Sequence, residues 1–209
     1  MRLLTKHLTV LICATLLWVA PARAEDAAVR FTKDLADKVI TNVLATHETK
    51  DQKMAAFRRD FTGALDLKAI GQFVLGRYWK KTPVAERDDF LNAFMEFNTL
   101  TWSDRFDLYN GQTISFAGSR NAEGNQLYVD STIDNNGSPV EVIWRLRPTK
   151  SGDYKIIDIV VAGVSMAMSY RNEYASFLQQ HGGNVNELTA ELNNRIKNFV
   201  PGSEKNKKK

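Results

Sequence analysis

Between Asn110-Gly111 and Gly163 the chain abandons a helical hydrophobic period, and that change limits the fold more than any other feature. Four short runs follow, "TISFAG", "NQLYVDSTI", "PVEVIWRLR" and "YKIIDIVVAG", each alternating or apolar. The turn-rich stretches "RNAEGN", "DNNGS" and "PTKSGD" between them are short enough only for antiparallel neighbours. In the third run Val140, Val142, Trp144 and Leu146 fall on one face, while Glu141, Arg145 and Arg147 fall on the other. A meander with one apolar face must be covered.

The cover has to come from helices. Phe31, Leu35, Val39 and Val43 form a stripe over 26–46, and Met54, Phe57 and Phe61 form another over 50–62. Asp66 opens "LKAIGQFVLG", and Thr82-Pro83 reads as an N-cap with proline at the first helical position of a segment running to about Tyr109. After Ser165 the pattern predicts a helix to about Gln180, a stop at Gly182-Gly183, and a last helix with Asn184 and Glu187 spaced as a capping box. The expected class is α+β: a four-stranded antiparallel meander sheet covered on one face by helices.

The two ends read differently from the middle. Arg2, Lys6 and His7, the apolar run Leu8–Ala20 and Ala22-Arg23-Ala24 have the order of a secretory signal, so residues 1–24 are expected to be cleaved. The single cysteine, Cys13, lies within it, which leaves the remainder with no disulfide and no thiolate site. The net charge of +4 also belongs to the ends. Residues 25–200 carry 21 basic and 23 acidic side chains, and residues 201–209 read as a disordered basic tail. Nucleic-acid binding therefore has no footprint here. With no linker or repeat, residues 25–200 are expected to form a single domain.

"DIVVAGVSMAMSY", residues 158–170, raises the one catalytic candidate, because a serine on a strand-to-helix turn is how α/β-hydrolases present a nucleophile. That elbow belongs to a parallel sheet, and its second glycine is replaced by Ala167. Outside the signal only His47 and His181 could serve as base. His181 falls at the far end of the helix that Ser165 begins, roughly 24 Å away along its axis. Ser165 reads as a cap. No phosphate loop and no metal-ligand spacing occurs, and the Asp88-Asp89 and Asp104/Asp107 pairs read as solvated faces. No catalytic residue, metal or cofactor is expected.

What stands out is apolar bulk on both flanks of the meander. Phe90, Leu91, Phe94, Met95, Phe97 and Leu100 occupy more than one stripe of a single helix, which must be buried on several sides or border a cavity. Met166 and Met168 add adaptable apolar surface.

These segments resemble the MlaC or toluene-tolerance family. The likeness rests on "LGRYWKKTPVAERDDFLNAFMEF" and "YKIIDIVVAGVSMAMSYRNEYASFLQQHGGNVNELTAEL", within which Arg77/Trp79, Glu86-Arg87…Phe90, Asp158, Gly163-Val164-Ser165, Arg171 and Gly182-Gly183 carry it. The chain departs from the family pattern at Ala162, where an acidic residue is usual, and at Trp102, where tyrosine is common. The resemblance implies a non-enzymatic periplasmic carrier, a monomer, with an apolar cavity between sheet and helices. It would hold a phospholipid, or a hopanoid-like lipid as in a similar branch. Its partners would be an inner-membrane ABC transporter complex and an outer-membrane lipoprotein complex. Leu75, Trp79, Phe94, Phe97, Val142, Trp144, Val164 and Met166 are the expected tail contacts, with Arg77, Arg145 and Arg147 near the headgroup. The alternatives are an adaptor with a filled core and a secreted lipid hydrolase using Ser165.

Overall fold

The structure, a computed structural model, describes residues 26–200. The expected cleavage after Ala24 and the basic tail lie outside those residues. Six α-helices occur among them: α1 (Ala27–Val39), α2 (Lys50–Phe57), α3 (Leu67–Leu75), α4 (Val84–Ser103), α5 (Met166–Gln180) and α6 (Val185–Lys197). None is long and apolar enough to cross a membrane. Five strands, β1 (Thr113–Ala122), β2 (Gln126–Asn135), β3 (Ser138–Pro148), β4 (Tyr154–Val161) and β5 (Val164–Ser165), form one antiparallel sheet in sequence order.

The fold is thus α+β, with one strand more than expected. β5 is only two residues long, pairing Val160 with Ser165 and Val161 with Val164. Ala162 and Gly163 make the intervening tight turn with φ of 49° and 80°. Two successive positive φ values match the right-handed twist of a hairpin. They suit glycine at 163, but hold Ala162 in the left-handed region, where a β-carbon crowds the backbone.

The first two helical segments are not uniform. α1 continues into a π-helical turn, Ile40–Leu44, and α2 into another, Arg58–Thr62. A stripe spaced every four residues drifts around a 3.6-residue helix, and a wider turn brings the drifting residue back. Val43 and Phe61 are buried accordingly. The segment expected to run from Thr82 to Tyr109 breaks after Ser103 into a 3-10 turn at Phe106–Leu108. Its start also differs. Pro83 occupies the N-cap position, while the Thr82 hydroxyl turns back to donate to the Tyr78 carbonyl at 2.9 Å. At α6, Asn184 accepts from the Asn186 amide and donates to the Glu187 carboxylate, so Glu187 braces the cap's side chain rather than its backbone.

Two apolar cores result. One joins the covered face of the sheet to α1 and α2, through Val29, Leu35, Phe57, Val129, Leu146 and Ile156. The other lies among α3, α4, α5 and α6, through Val74, Phe90, Tyr174, Leu178, Leu188 and Leu192. Leu65 packs against both. Here the backbone is stitched to β4: the Asp66 amide donates to the Ile156 carbonyl and the Ile156 amide to the Ala64 carbonyl, each at 2.8 Å. β4 bulges at this point, with the register slipping between Arg145/Asp158 and Leu146/Ile156. Bulges re-aim side chains, and Ile156 to Ile159 all border the same hollow.

Candidate functional site

Ser165 shows first what this region is built for. Its hydroxyl accepts from the Met168 amide at 3.1 Å and donates to Asp158 at 2.5 Å. Asp158, buried, also accepts from the Ile159 and Ala167 amides at 2.8 and 2.9 Å. The carboxylate meets the positive end of α5 and closes the hairpin onto it. His181 stacks on Phe177 with ring centroids 3.9 Å apart, its Nδ1 2.7 Å from the Phe177 carbonyl, and His47 is exposed. The hydroxyl of Ser165 is thus committed to a carboxylate, not to a histidine. No group of three His, Cys, Asp or Glu among the described residues is placed to hold a metal ion.

The seam between the two cores contains empty space. An inner hollow of about 70 Å³ is bounded by Phe61, Leu65, Ile70, Phe94, Ile156 and Met166. A second, more open hollow of about 340 Å³ lies between α1 and the sheet, bounded by Val39, Leu44, Leu108, Ile114, Ile133 and Trp144. Phe57, Phe61 and Trp102 border both. Their rings form a continuous wall: Phe57 stacks on Phe61 at 4.8 Å, and Trp102 lies 6.4 and 6.0 Å from the two.

Polar groups around the inner hollow are satisfied within the protein. Asn98 donates to the Phe94 carbonyl at 2.7 Å and accepts from the Tyr170 hydroxyl; the Thr99 hydroxyl donates to the Met95 carbonyl at 2.9 Å. Burial pushes the Tyr170 phenol up to about 12. Trp144 at the outer hollow donates its indole N–H to Ser131 at 2.9 Å. The inner hollow, whose polar neighbours are already paired, offers water little and stays dry.

The expected contact residues divide. Phe94 and Met166 border the inner hollow and Trp144 the outer one. Val142 is buried beside Trp144 in the sheet core, and Leu75 and Trp79 lie in the helical core; none of these three borders either hollow. Phe97 turns toward α6, with the Arg195 guanidinium over its ring at 5.9 Å. Val164 is 57% exposed on the edge strand, pointing away from the interior.

The three arginines expected near a headgroup are engaged elsewhere. Arg77 donates to the Tyr78 hydroxyl at 2.8 Å, Arg145 to Gln126 at 2.7 Å, and Arg147 pairs with Asp66. Sequence reasoning passed over Phe57, Phe61 and Trp102 as wall residues. The one signal was the four-residue spacing of the two phenylalanines.

The quoted motif residues are structural fasteners. Arg171 reaches from α5 to the Phe73 carbonyl at 3.2 Å and lies over the Phe73 ring. A β-carbon on Gly183 would come within 2.6 Å of the Tyr78 ring, so glycine is needed there for contact as well as for its φ of 80°.

Residues 33–194 match the family model described as MlaC protein. The chain is 25% identical over 189 residues to the intermembrane phospholipid transport system binding protein MlaC of Haemophilus influenzae, covering 86% of this chain and 88% of that one. Its fold aligns, with a TM-score of 0.74 and 22% identity, with the phospholipid-binding protein from Ralstonia solanacearum solved in complex with a phospholipid. That alignment covers 83% of this chain and 98% of the other.

Proposed function

The chain belongs to the MlaC family, and from that premise we propose that it is a periplasmic carrier that encloses the acyl chains of a phospholipid or related lipid. It moves its cargo between an inner-membrane transporter and an outer-membrane acceptor. The observation that carries the reading is the pair of apolar hollows that share the rings of Phe57, Phe61 and Trp102 as a wall.

Size decides how such a space is used. An apolar cavity of about 150 Å³ accepts a benzene, and a methylene needs about the room of a water molecule, roughly 30 Å³. At about 70 Å³ the inner hollow is too small for a chain, and the outer one at about 340 Å³ holds only part of a lipid. Loading therefore requires Phe57, Phe61 and Trp102 to part and make one space from two, and the helices to move farther from the sheet, because the joined hollows still hold less than two full chains. Phe94, Met166 and Trp144 are tail contacts in that joined space.

Energy decides how cargo is exchanged. Each buried methylene is worth about 0.8 kcal/mol, so two ordinary chains represent on the order of 25 kcal/mol against water. Release into buffer is prohibitively slow, and transfer takes place while the carrier is docked on a partner offering another apolar path.

Organic extraction of the purified protein followed by mass spectrometry tests the reading. Diacyl lipid at near-stoichiometric yield is expected. Protein that neither copurifies with lipid nor takes it up from vesicles would overturn it.

A further inference from the structure

Nearly every arginine among the described residues is engaged. Arg58, Arg59, Arg120, Arg147 and Arg195 pair with carboxylates. Arg77, Arg87, Arg145 and Arg171 donate to a phenol, two backbone carbonyls and an amide. Arg30 also has a partner. Arg105 is exposed and figures in none of these bonds, although its charge also acts on the Tyr170 phenol.

Its position is fixed. The Arg105 amide donates to the Trp102 carbonyl at 3.0 Å, and its carbonyl accepts from the Leu108 amide at 3.1 Å. The two turns hold its backbone three residues beyond the wall tryptophan, where the residue borders both the outer hollow, with Leu108 and Tyr109, and a groove toward α6, with Asp104 and Arg195. An arginine in such a place lays its methylene stem along apolar surface while its charge stays in water. Its planar fork matches a phosphate through two parallel N–H donors.

We propose that Arg105 seats the phosphate of a ligand whose hydrocarbon enters the outer hollow. The assignment rests on the carrier reading and adds to it the residue that holds the headgroup phosphate at the mouth, with the chains within. It also replaces Arg77, Arg145 and Arg147 as the cation at the entrance.

The test offers delipidated protein mixed vesicles of phosphatidylglycerol and diacylglycerol with identical chains, and the lipid taken up is quantified by mass spectrometry. In Arg105→Gln the ratio of phosphatidylglycerol to diacylglycerol should fall about tenfold, the loss of one charge-assisted hydrogen-bond pair, with diacylglycerol uptake retained. Arg105→Lys should recover part of it, and Lys33→Gln, an exposed charge on α1, should leave the ratio unchanged. Inorganic phosphate in large excess should not abolish the preference. If dilute phosphate alone abolishes it, a free anion is the ligand and the headgroup assignment falls. An unchanged ratio in Arg105→Gln overturns the assignment and leaves the carrier reading intact. A wild-type protein that takes up neither lipid overturns both.

Discussion

Phe61, on the second π-helical turn, and Trp102, near the end of α4, hold their rings 6.0 Å apart and with Phe57 close off the inner hollow from the outer one. Neither ring is a passive filler of one core, because each has an unfilled space on two sides.

Trp102→Ala should therefore separate two properties that usually move together. Without lipid, removing the ring enlarges the void and should cost about 3 kcal/mol or more, read as a lower denaturation midpoint. With lipid bound the gap is filled, so added lipid should raise the Tm of the variant more than that of the wild type. Equal lipid-induced shifts would show that the ring does not stand in the path of the chains.

Ser165→Ala tests the cap against the nucleophile. Losing the bonds to Met168 and Asp158 should lower stability by about 1–2 kcal/mol in urea titrations. Lipid uptake should persist. Ester cleavage by the wild type that disappears in the variant would return Ser165 to the role of nucleophile.

At Ala162 the backbone is in the left-handed region with φ 49°. Asparagine tolerates that conformation better, so Ala162→Asn should stabilise the protein by up to about 1 kcal/mol. For a chain of this size that corresponds to a Tm higher by about 2–4 °C, measurable by calorimetry. A fall in Tm would mean that the turn is not a source of strain.

Tyr170 sets an alkaline limit. Its phenol is raised from 10.0 to about 12, with burial the largest cause. The unfolded chain thus gives up this proton first: the contribution is intact below pH 10 and is lost as the pH climbs toward 12. Ultraviolet titration of phenolate should show two tyrosines ionising late, Tyr170 and Tyr174, whose phenol burial raises still further, together with unfolding. In Tyr170→Phe the corresponding part of the alkaline stability loss should be absent.

The meander was legible because period-two alternation in "PVEVIWRLR" leaves one arrangement of faces, and short turns leave one order of strands. β5 was not legible: two residues carry no period, and Val164-Ser165 reads equally as a loop entering a helix. The π-turns were hidden because a stripe drawn through Val39 and Val43, or Phe57 and Phe61, looks the same whether the turn is ordinary or wide. The wall was missed for a related reason. Phe57, Phe61 and Trp102 have the pattern of core residues, and pattern cannot tell a ring facing matter from a ring facing space. Arg145 and Arg147 were assigned to the correct face of β3, but the face alone does not say which cation is near an entrance.

The stitch between Asp66 and Ile156 has a mechanical consequence. It fixes the chain to the bulged strand at one end of the seam through two backbone hydrogen bonds, and the aromatic rings hold the seam farther along mainly by contact. A protein fastened so unequally should yield like a purse with one sewn edge. In deuterium-exchange measurements the Asp66 and Ile156 amides should remain slow while cargo enters, and labelling should rise along Arg58–Thr62.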